Sequence, residues 1–339
     1  MRFGTSRRAA GALLTIGLSS AAATAAIAAP APDIRVADTS IRYGQAAVVR
    51  GTVGAENAGR QVALEYATPG GEWRVIRTGV AGADGRYGFA TRLRRTGVLR
   101  VGLVDGVALR VGTSNDASRE GSGGGIASGS GGGTASDASP AVAASPAAPR
   151  SAARRVTVAA RIAAPFRRLD VRAGEEAVVR GRVGPWRAGR LVRLELLEAG
   201  RWRRVASDRT DARGRYALSH RARFVGGRYA RVTFRGDAAN ARSVKRVGRL
   251  HGYREALASR YDMYGGPLGC GGRLGYNALV VAHKTLPCGT KLRIRYRGRT
   301  VTATVRDRGP YVGGREFDLA GAVARRLGFD GVGRILVTR

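Results

Sequence analysis

The sequence predicts a mainly β chain, with two copies of an antiparallel sandwich followed by a small barrel that carries one helix. Three observations predict it. The first is an internal repeat: AVVRGTVGAENAGRQVALEY from Ala47 returns as AVVRGRVGPWRAGRLVRLEL from Ala177, and self-similarity at a fixed offset marks a duplicated structural unit. The match continues through Trp73 and Trp202, and through GRYGF from Gly85 and GRYAL from Gly214. The second is the texture of each copy, in which short runs of alternating apolar and other residues are separated by turn residues every roughly 8–12 positions. The third is the change of texture after Ala256, where several strand-like runs surround one helical pattern.

Taken in order, the chain opens on Arg2, Arg7 and Arg8, then an Ala/Leu-rich run from Ala9 to Ala28 ending in Ala26-Ile27-Ala28. A basic start, an apolar stretch and a small-x-small end describe a secretory signal peptide over residues 1–28. Its Ala, Gly, Ser and Thr content makes it a weak membrane span, so no stable insertion is expected after its removal. The first repeat covers residues 33–112, with strands such as Val62–Glu65 and Trp73–Ile76. Residues 113–152 are dominated by Gly, Ser, Ala and Pro and read as a flexible tether that cannot bury a core. The second repeat covers 156–247 and shows the same alternation in YARVTF, Tyr229–Phe234. Trp73 and Trp202 read first as packing residues of their strands and second as sugar-stacking platforms. The repeated AGR-V-L…W…GRY pattern resembles the Ig-like carbohydrate-associated and adhesion modules of bacterial surface proteins, which implies an Ig-like β-sandwich and no particular ligand. Only Gly248–Ala256 joins the second repeat to the C-terminal domain, so the expectation is a free first module and a second held close to that domain.

In residues 256–339, ALVVAH (Ala278–His283), KLRIRYRG (Lys291–Gly298) and RTVTATVRD (Arg299–Asp307) read as strands, the last two joined by a tight hairpin at Gly298. Asp318–Phe329 reads as the helix, with Asp318 where an N-cap sits and Leu319, Val323 and Leu327 on one face. A final strand, GRILVTR, ends the chain. Cys270 and Cys288 lie close together in an exported chain and read as one disulfide, which stabilises a loop of that size by roughly 3 kcal/mol. The three histidines, His220, His251 and His283, have no ligand-like spacing, so no metal site is expected.

The net charge is +35, from 59 basic and 24 acidic residues, and only Lys245, Lys284 and Lys291 are lysines. The arginines are spread over every segment without zinc-finger or basic-zipper spacing, which argues against a nucleic-acid binder and for attraction to anionic surfaces.

ASRYDMYGGPLGCGG, with ALVVAHKTLPCGTKLRIRYRGRTVTATVRDRGPYVGGREFDLAGAVARRLGF, resembles the double-psi β-barrel of the rare-lipoprotein-A (RlpA-like) group, closest to its disulfide-containing actinobacterial versions. The resemblance implies a six-stranded barrel, and characterised members are lytic transglycosylases acting on peptidoglycan glycan strands. Such a reaction needs a proton for the leaving glycosidic oxygen and a base for the muramic C6 hydroxyl, two steps that one carboxyl group can serve. Asp307 is the candidate acid/base, with Asp318 and His283 as supporting catalytic residues. Tyr311, Arg308 and Asn277 are the candidate substrate contacts. Register through Asn277-Ala278-Leu279 puts Gly272 where transglycosylase members carry a glutamate, and Arg260 where the family has an aromatic. The leading expectation is therefore a secreted or wall-associated transglycosylase, and the alternative is a non-catalytic, expansin-like module that binds or loosens wall glycan. Neither implies a cofactor, both imply peptidoglycan and anionic wall polymers as partners, and neither fixes an oligomeric state.

Overall fold

The computed structural model describes residues 30–104 and 148–339. The expected signal peptide and most of the expected tether lie outside the described residues. Among the described residues no helix is long and apolar enough to cross a membrane.

Both copies of the repeat fold on one plan. In the first, Arg35–Val36, Ala46–Thr52 and Arg86–Arg92 form one sheet, and Gln61–Ala67 pairs with Arg74–Val80 and Gly97–Val104 in the facing one. In the second, Arg161–Arg168, Glu176–Gly184 and Arg215–Arg221 form the first sheet; Leu191–Glu198 pairs with Arg201–Arg209 and Gly226–Gly236 in the other. Alternation buries one face of each strand, so Val49, Val62, Leu64 and Val101 fill the first core, and Val179, Val192, Leu194 and Val232 fill the second. Even the irregularity repeats: the pairing register slips between Leu64 and Glu65, and again between Leu194 and Glu195.

The join between the copies differs from the expected tether. Arg154–Ala159, which comes after the Gly/Ser-rich segment, pairs antiparallel with Gly97–Val104 and parallel with Ser40–Arg42. Val156, expected to open the second repeat, is buried with Val158 in the first core. The low-complexity segment thus lies in sequence between two neighbouring strands of the first sandwich, where the second sandwich has only the 237–240 turn. The copies are joined through Ala160 instead. Asn240, 1% exposed, ties that seam by donating to Arg94 O and Val158 O while accepting from Arg190.

The last strand of the second sandwich, Ala241–Tyr261, continues without a break into the C-terminal domain. There it begins a ring of six strands. It pairs in parallel with Phe317–Ala320 and antiparallel with Val332–Val337. Val332–Val337 pairs with Lys291–Tyr296, which pairs with Arg299–Asp307. Arg299–Asp307 pairs in parallel with Val280–His283, and this strand returns antiparallel to Phe317–Ala320. The expected hairpin is present, with Arg297 and Gly298 both at positive φ, as a two-residue turn of matching twist requires.

The helix is shorter than expected, Gly321–Leu327, with Ala320 at its N-cap position and no side-chain cap. Asp318 is not a cap: it lies in the Phe317–Ala320 strand, opposite Ala282 on one side and Ser259 on the other. Two flanking strands supply more backbone hydrogen bonds than one cap, and they hold residues 317–320 extended. At the other end Gly328 takes the left-handed conformation and stops the helix. Val323, Leu327 and Phe329 pack on the barrel core with Ile294, Val305, Phe317 and Ile335.

Candidate active site

Asp307 closes its strand beside the Gly309-Pro310 turn. Its Oδ1 accepts hydrogen bonds from the backbone N–H of Arg308 at 2.8 Å and of Gly269 at 2.9 Å. Both bonds fall on the same oxygen. The 269–270 segment reaches Asp307 only because residue 269 is glycine: a Cβ there would meet Arg308 Cγ at 2.7 Å. The Cys270–Cys288 disulfide, with Cα atoms 5.8 Å apart, ties that segment to the 284–290 loop.

Asp318 accepts a hydrogen bond from Ser259 Oγ. The strand register brings it and Asp307 to one level, since Ala282 is the partner of both. Two strand spacings put their Cα atoms about 10 Å apart. Residues directly opposite on neighbouring strands point to the same side of a sheet. The pairing register shifts between Val281 and Ala282, and both carboxylates reach the Tyr261 hydroxyl electrostatically, so they lie around that side chain. Tyr261 completes the group. Its hydroxyl is buried and neighbours Asp307 without hydrogen-bond geometry. Burial first, then the carboxylates of Asp307 and Asp318, push its ionisation far above the ordinary phenol range, so it is an O–H group at any working pH.

His283 faces elsewhere. Its Nδ1 accepts from the N–H groups of Thr285 and Leu286, at 3.1 and 3.0 Å, which places the proton of the neutral ring on Nε2. Nε2 lies 3.6 Å from Glu316 Oε1, and the ring packs 4.8 Å from Phe317. Burial lowers the His283 pKa, against the opposing pull of Glu316, so the ring is neutral near pH 7. Glu316 is itself gripped by Arg254 through both carboxylate oxygens, Oε2 at 2.8 Å, and that hydrogen bonding holds its carboxyl below the ordinary range.

The three expected substrate contacts separate. Tyr311 is 82% exposed, on the turn beyond Asp307, and Asn277 is exposed before the Val280–His283 strand. The Arg308 guanidinium is engaged inside the protein, donating to His283 O, Leu286 O and Cys288 Sγ. It braces the disulfide loop that carries Gly269 to Asp307.

Glu316, Tyr261, Ser259 and Arg254 were not among the candidates read from the sequence. Strand alternation is the signal that finds one of them: Tyr261 lies two positions after Ser259 in the same strand, on the same face. Gly272, where a family glutamate is expected, sits exposed at φ +82°, a conformation that strains any side-chain-bearing residue. Arg260, in the expected aromatic position, pairs with Asp262 at 2.7 Å and with Asp330 at 3.3 Å.

Residues 255–338 match a protein-family model described as lytic transglycolase. The chain is 36% identical over 101 residues to the probable endolytic peptidoglycan transglycosylase RlpA of Synechocystis, covering 28% of this chain and 30% of that protein. It is 38% identical over 84 residues to the endolytic peptidoglycan transglycosylase RlpA of Neisseria meningitidis, covering 24% of this chain and 30% of that one. The chain thus spans under a third of the length of these curated relatives, through its C-terminal domain. Among solved structures, Streptomyces papain inhibitor aligns with 26% of the chain and 94% of its own at 20% identity, with a TM-score of 0.21 too low to carry an argument.

Proposed function

With residues 255–338 forming a domain of the RlpA-like double-psi β-barrel family, we propose that this chain is an exported or wall-associated lytic transglycosylase acting on peptidoglycan glycan. The observation that carries the reading is the pair of aspartates that share Ala282 as strand partner, neither in an ion pair with a described arginine in so basic a chain. Asp307 in its acid form gives its proton to the glycosidic oxygen as the C1–O4 bond breaks. As carboxylate it then takes the proton of the muramic C6 hydroxyl, whose oxygen bonds to C1 and closes the 1,6-anhydro ring. The carboxyl group is regenerated and no water is consumed. Asp318, fixed by Ser259, faces the positive charge that develops at the sugar ring. His283 acts at one remove, by holding the 283–286 turn and the Glu316 side chain. Tyr311 and Asn277 lie at exposed positions where a glycan strand can meet them. Residues 1–28 would direct export, and the two sandwiches, read as Ig-like modules, would hold the barrel at the wall.

Gly272 favours a second reading, a barrel that binds glycan without cleaving it, because the second acid that the family resemblance implies is absent there. The two separate in one assay. The purified full chain, disulfide intact, is incubated with peptidoglycan, intact and stripped of stem peptides, and soluble products are analysed by mass spectrometry. New 1,6-anhydromuramic ends are expected, reduced at least 100-fold by Asp307→Asn. Co-sedimentation with the wall and no cleaved bond on either substrate would leave the binding module standing.

A further inference from the structure

A cleft of about 360 Å³ opens at the seam between the two sandwiches. Four arginines line it, Arg94 and Arg95 from the first sandwich and Arg187 and Arg190 from the second, with Trp186 beside them. Only Arg190 meets a carboxylate: it is buried, and its Nε lies 3.1 Å from Asp237 Oδ2 while Nη1 donates to Pro185 O at 3.0 Å. Arg94, Arg95 and Arg187 are exposed and form no ion pair with a described carboxylate. The cluster is therefore in excess by three positive charges. Burial, and secondarily the charges of Arg187 and Arg95, lower the pKa of Arg190 against the support of Asp237. Trp186 is 64% exposed at the edge of this positive field, with the Arg182 guanidinium 5.4 Å from its ring centre.

The first copy of the repeat shows what the same loop does without that task. Glu56 and Asn57 occupy the positions of Trp186 and Arg187. There the loop closes on itself: Asn57 Nδ2 donates to Val53 O at 2.8 Å, and Arg60 Nη1 to Asn57 Oδ1 at 2.8 Å. In the second copy Arg190, the counterpart of Arg60, turns to Pro185 O and Asn240, and the loop presents an indole and a guanidinium outward. The seam beneath is fixed by Asn240 and by Thr96, whose N–H donates to Ala239 O at 2.7 Å and whose Oγ1 accepts from Val158 N at 3.0 Å. These bonds fix the backbone that carries the cleft, so its walls are in place before a ligand arrives.

We propose that this cleft binds an anionic saccharide, with a sugar ring against Trp186 and its phosphate or carboxylate group on Arg94, Arg95 and Arg187. Guanidinium forks match both anions in bidentate geometry, and an exposed indole is the side chain suited to a sugar's apolar face. The site is independent of the barrel's reaction and gives the chain a second hold on a charged glycan surface.

The test must separate a site from bulk charge. Full-length protein is titrated at 150 mM salt with polygalacturonate as the carboxylate probe, phosphomannan as the phosphate probe, neutral dextran and inorganic phosphate. The triple variant Arg94→Gln/Arg95→Gln/Arg187→Gln is compared with Arg201→Gln/Arg213→Gln/Arg221→Gln, which removes the same charge from exposed arginines elsewhere. The expected result is at least a tenfold loss of affinity for one anionic polymer in the first triple and less than twofold in the second. The polymer that responds identifies the anion. Trp186→Ala should weaken that polymer and leave inorganic phosphate unchanged. In the unaltered protein the polymer should quench indole fluorescence, and Trp186→Phe should abolish the quench. Equal losses in both triples, equal binding of dextran, or no effect of Trp186→Ala would overturn the proposal. Should the first triple lower the melting temperature, Arg187→Gln alone and Trp186→Phe carry the same comparison.

Discussion

In the first sandwich the Glu65 side chain is 5% exposed and meets Arg100 at 2.5 Å and Arg150 at 3.4 Å. In the second, 130 positions on, Glu195 meets Arg231 at 2.7 Å. Each of those arginines also covers a tryptophan, Arg100 at 4.0 Å from the Trp73 ring and Arg231 at 4.1 Å from the Trp202 ring. This Glu–Arg–Trp stack is copied with the fold. It holds a guanidinium close against the rings of two half-buried tryptophans, which favours packing over sugar stacking. The barrel treats its paired acids otherwise: Asp307 is held by two backbone N–H groups and Asp318 by a serine hydroxyl. In a chain with 59 basic residues, these two neighbouring acids form no ion pair with a described arginine, unlike Glu65 and Glu195.

The largest expected effect is in the first sandwich. Glu65→Ala strands Arg100 and Arg150 without their shared carboxylate, and breaking a buried pair in this way costs about 3–5 kcal/mol. Glu195→Ala should cost roughly half that, because its side chain is 16% exposed and solvent screens it more. Asp318→Ala should cost less than either. Calorimetric unfolding of the full chain reads all three, and an Asp318→Ala loss matching that of Glu65→Ala would erase the contrast. Next comes the disulfide. Its cysteines are 18 residues apart, so reduction should destabilise the barrel by about 3 kcal/mol while leaving the sandwich transitions in place. Equal movement of all transitions would mean that the domains unfold as one unit.

Tyr261 sharpens the comparison from the side of chemistry. Its hydroxyl is buried without a hydrogen bond, and such a group costs stability. Tyr261→Phe should leave the barrel as stable as before, or about 1 kcal/mol more stable. If the hydroxyl serves the aspartates, the same change should slow formation of 1,6-anhydro ends about tenfold. Unchanged turnover would reduce Tyr261 to a packing residue.

Where the sequence was legible, a local rule had one outcome. The duplicated runs could only be one fold used twice, the Arg297-Gly298 hairpin demanded a two-residue turn, and Cys270 and Cys288 found each other. Where it was not, two outcomes shared one signal. A Gly/Ser-rich run looks the same between two domains as within one hairpin, and only the partners of Val156 and Val158 decide between them. Asp318 before an apolar helical pattern reads as a cap, yet a carboxylate two residues upstream of a cap position is also what a buried strand end looks like. Glu316 was hidden because its meaning lies in Arg254, 62 positions away, and no local pattern carries that distance.

The smallest expected effect concerns acid. The His283 pKa is lowered in the folded barrel, so the unfolded chain binds that proton more readily. Its contribution is full above the ordinary histidine value near 6.5 and is lost as pH falls below it. The Glu316 carboxyl is also lowered, by its hydrogen bonds with Arg254, so its contribution holds above its ordinary value of 4.5 and is lost as pH falls through the lower folded value. The barrel transition should therefore weaken in two stages on acidification, His283 first and Glu316 second. The charged groups facing His283 are Glu316, Arg254 and Arg308, and protonation sets the imidazolium against both arginines while Glu316 alone favours it. His283→Gln should flatten the first stage, which begins as pH falls below about 6.5, and leave the second. Glu316→Gln should remove the second and deepen the first, since the one neighbour that favours the imidazolium is gone. Unfolding temperatures of the barrel followed from pH 7 to well below 4.5 in the three proteins test this order, and a first stage that survives His283→Gln would move its origin to another group.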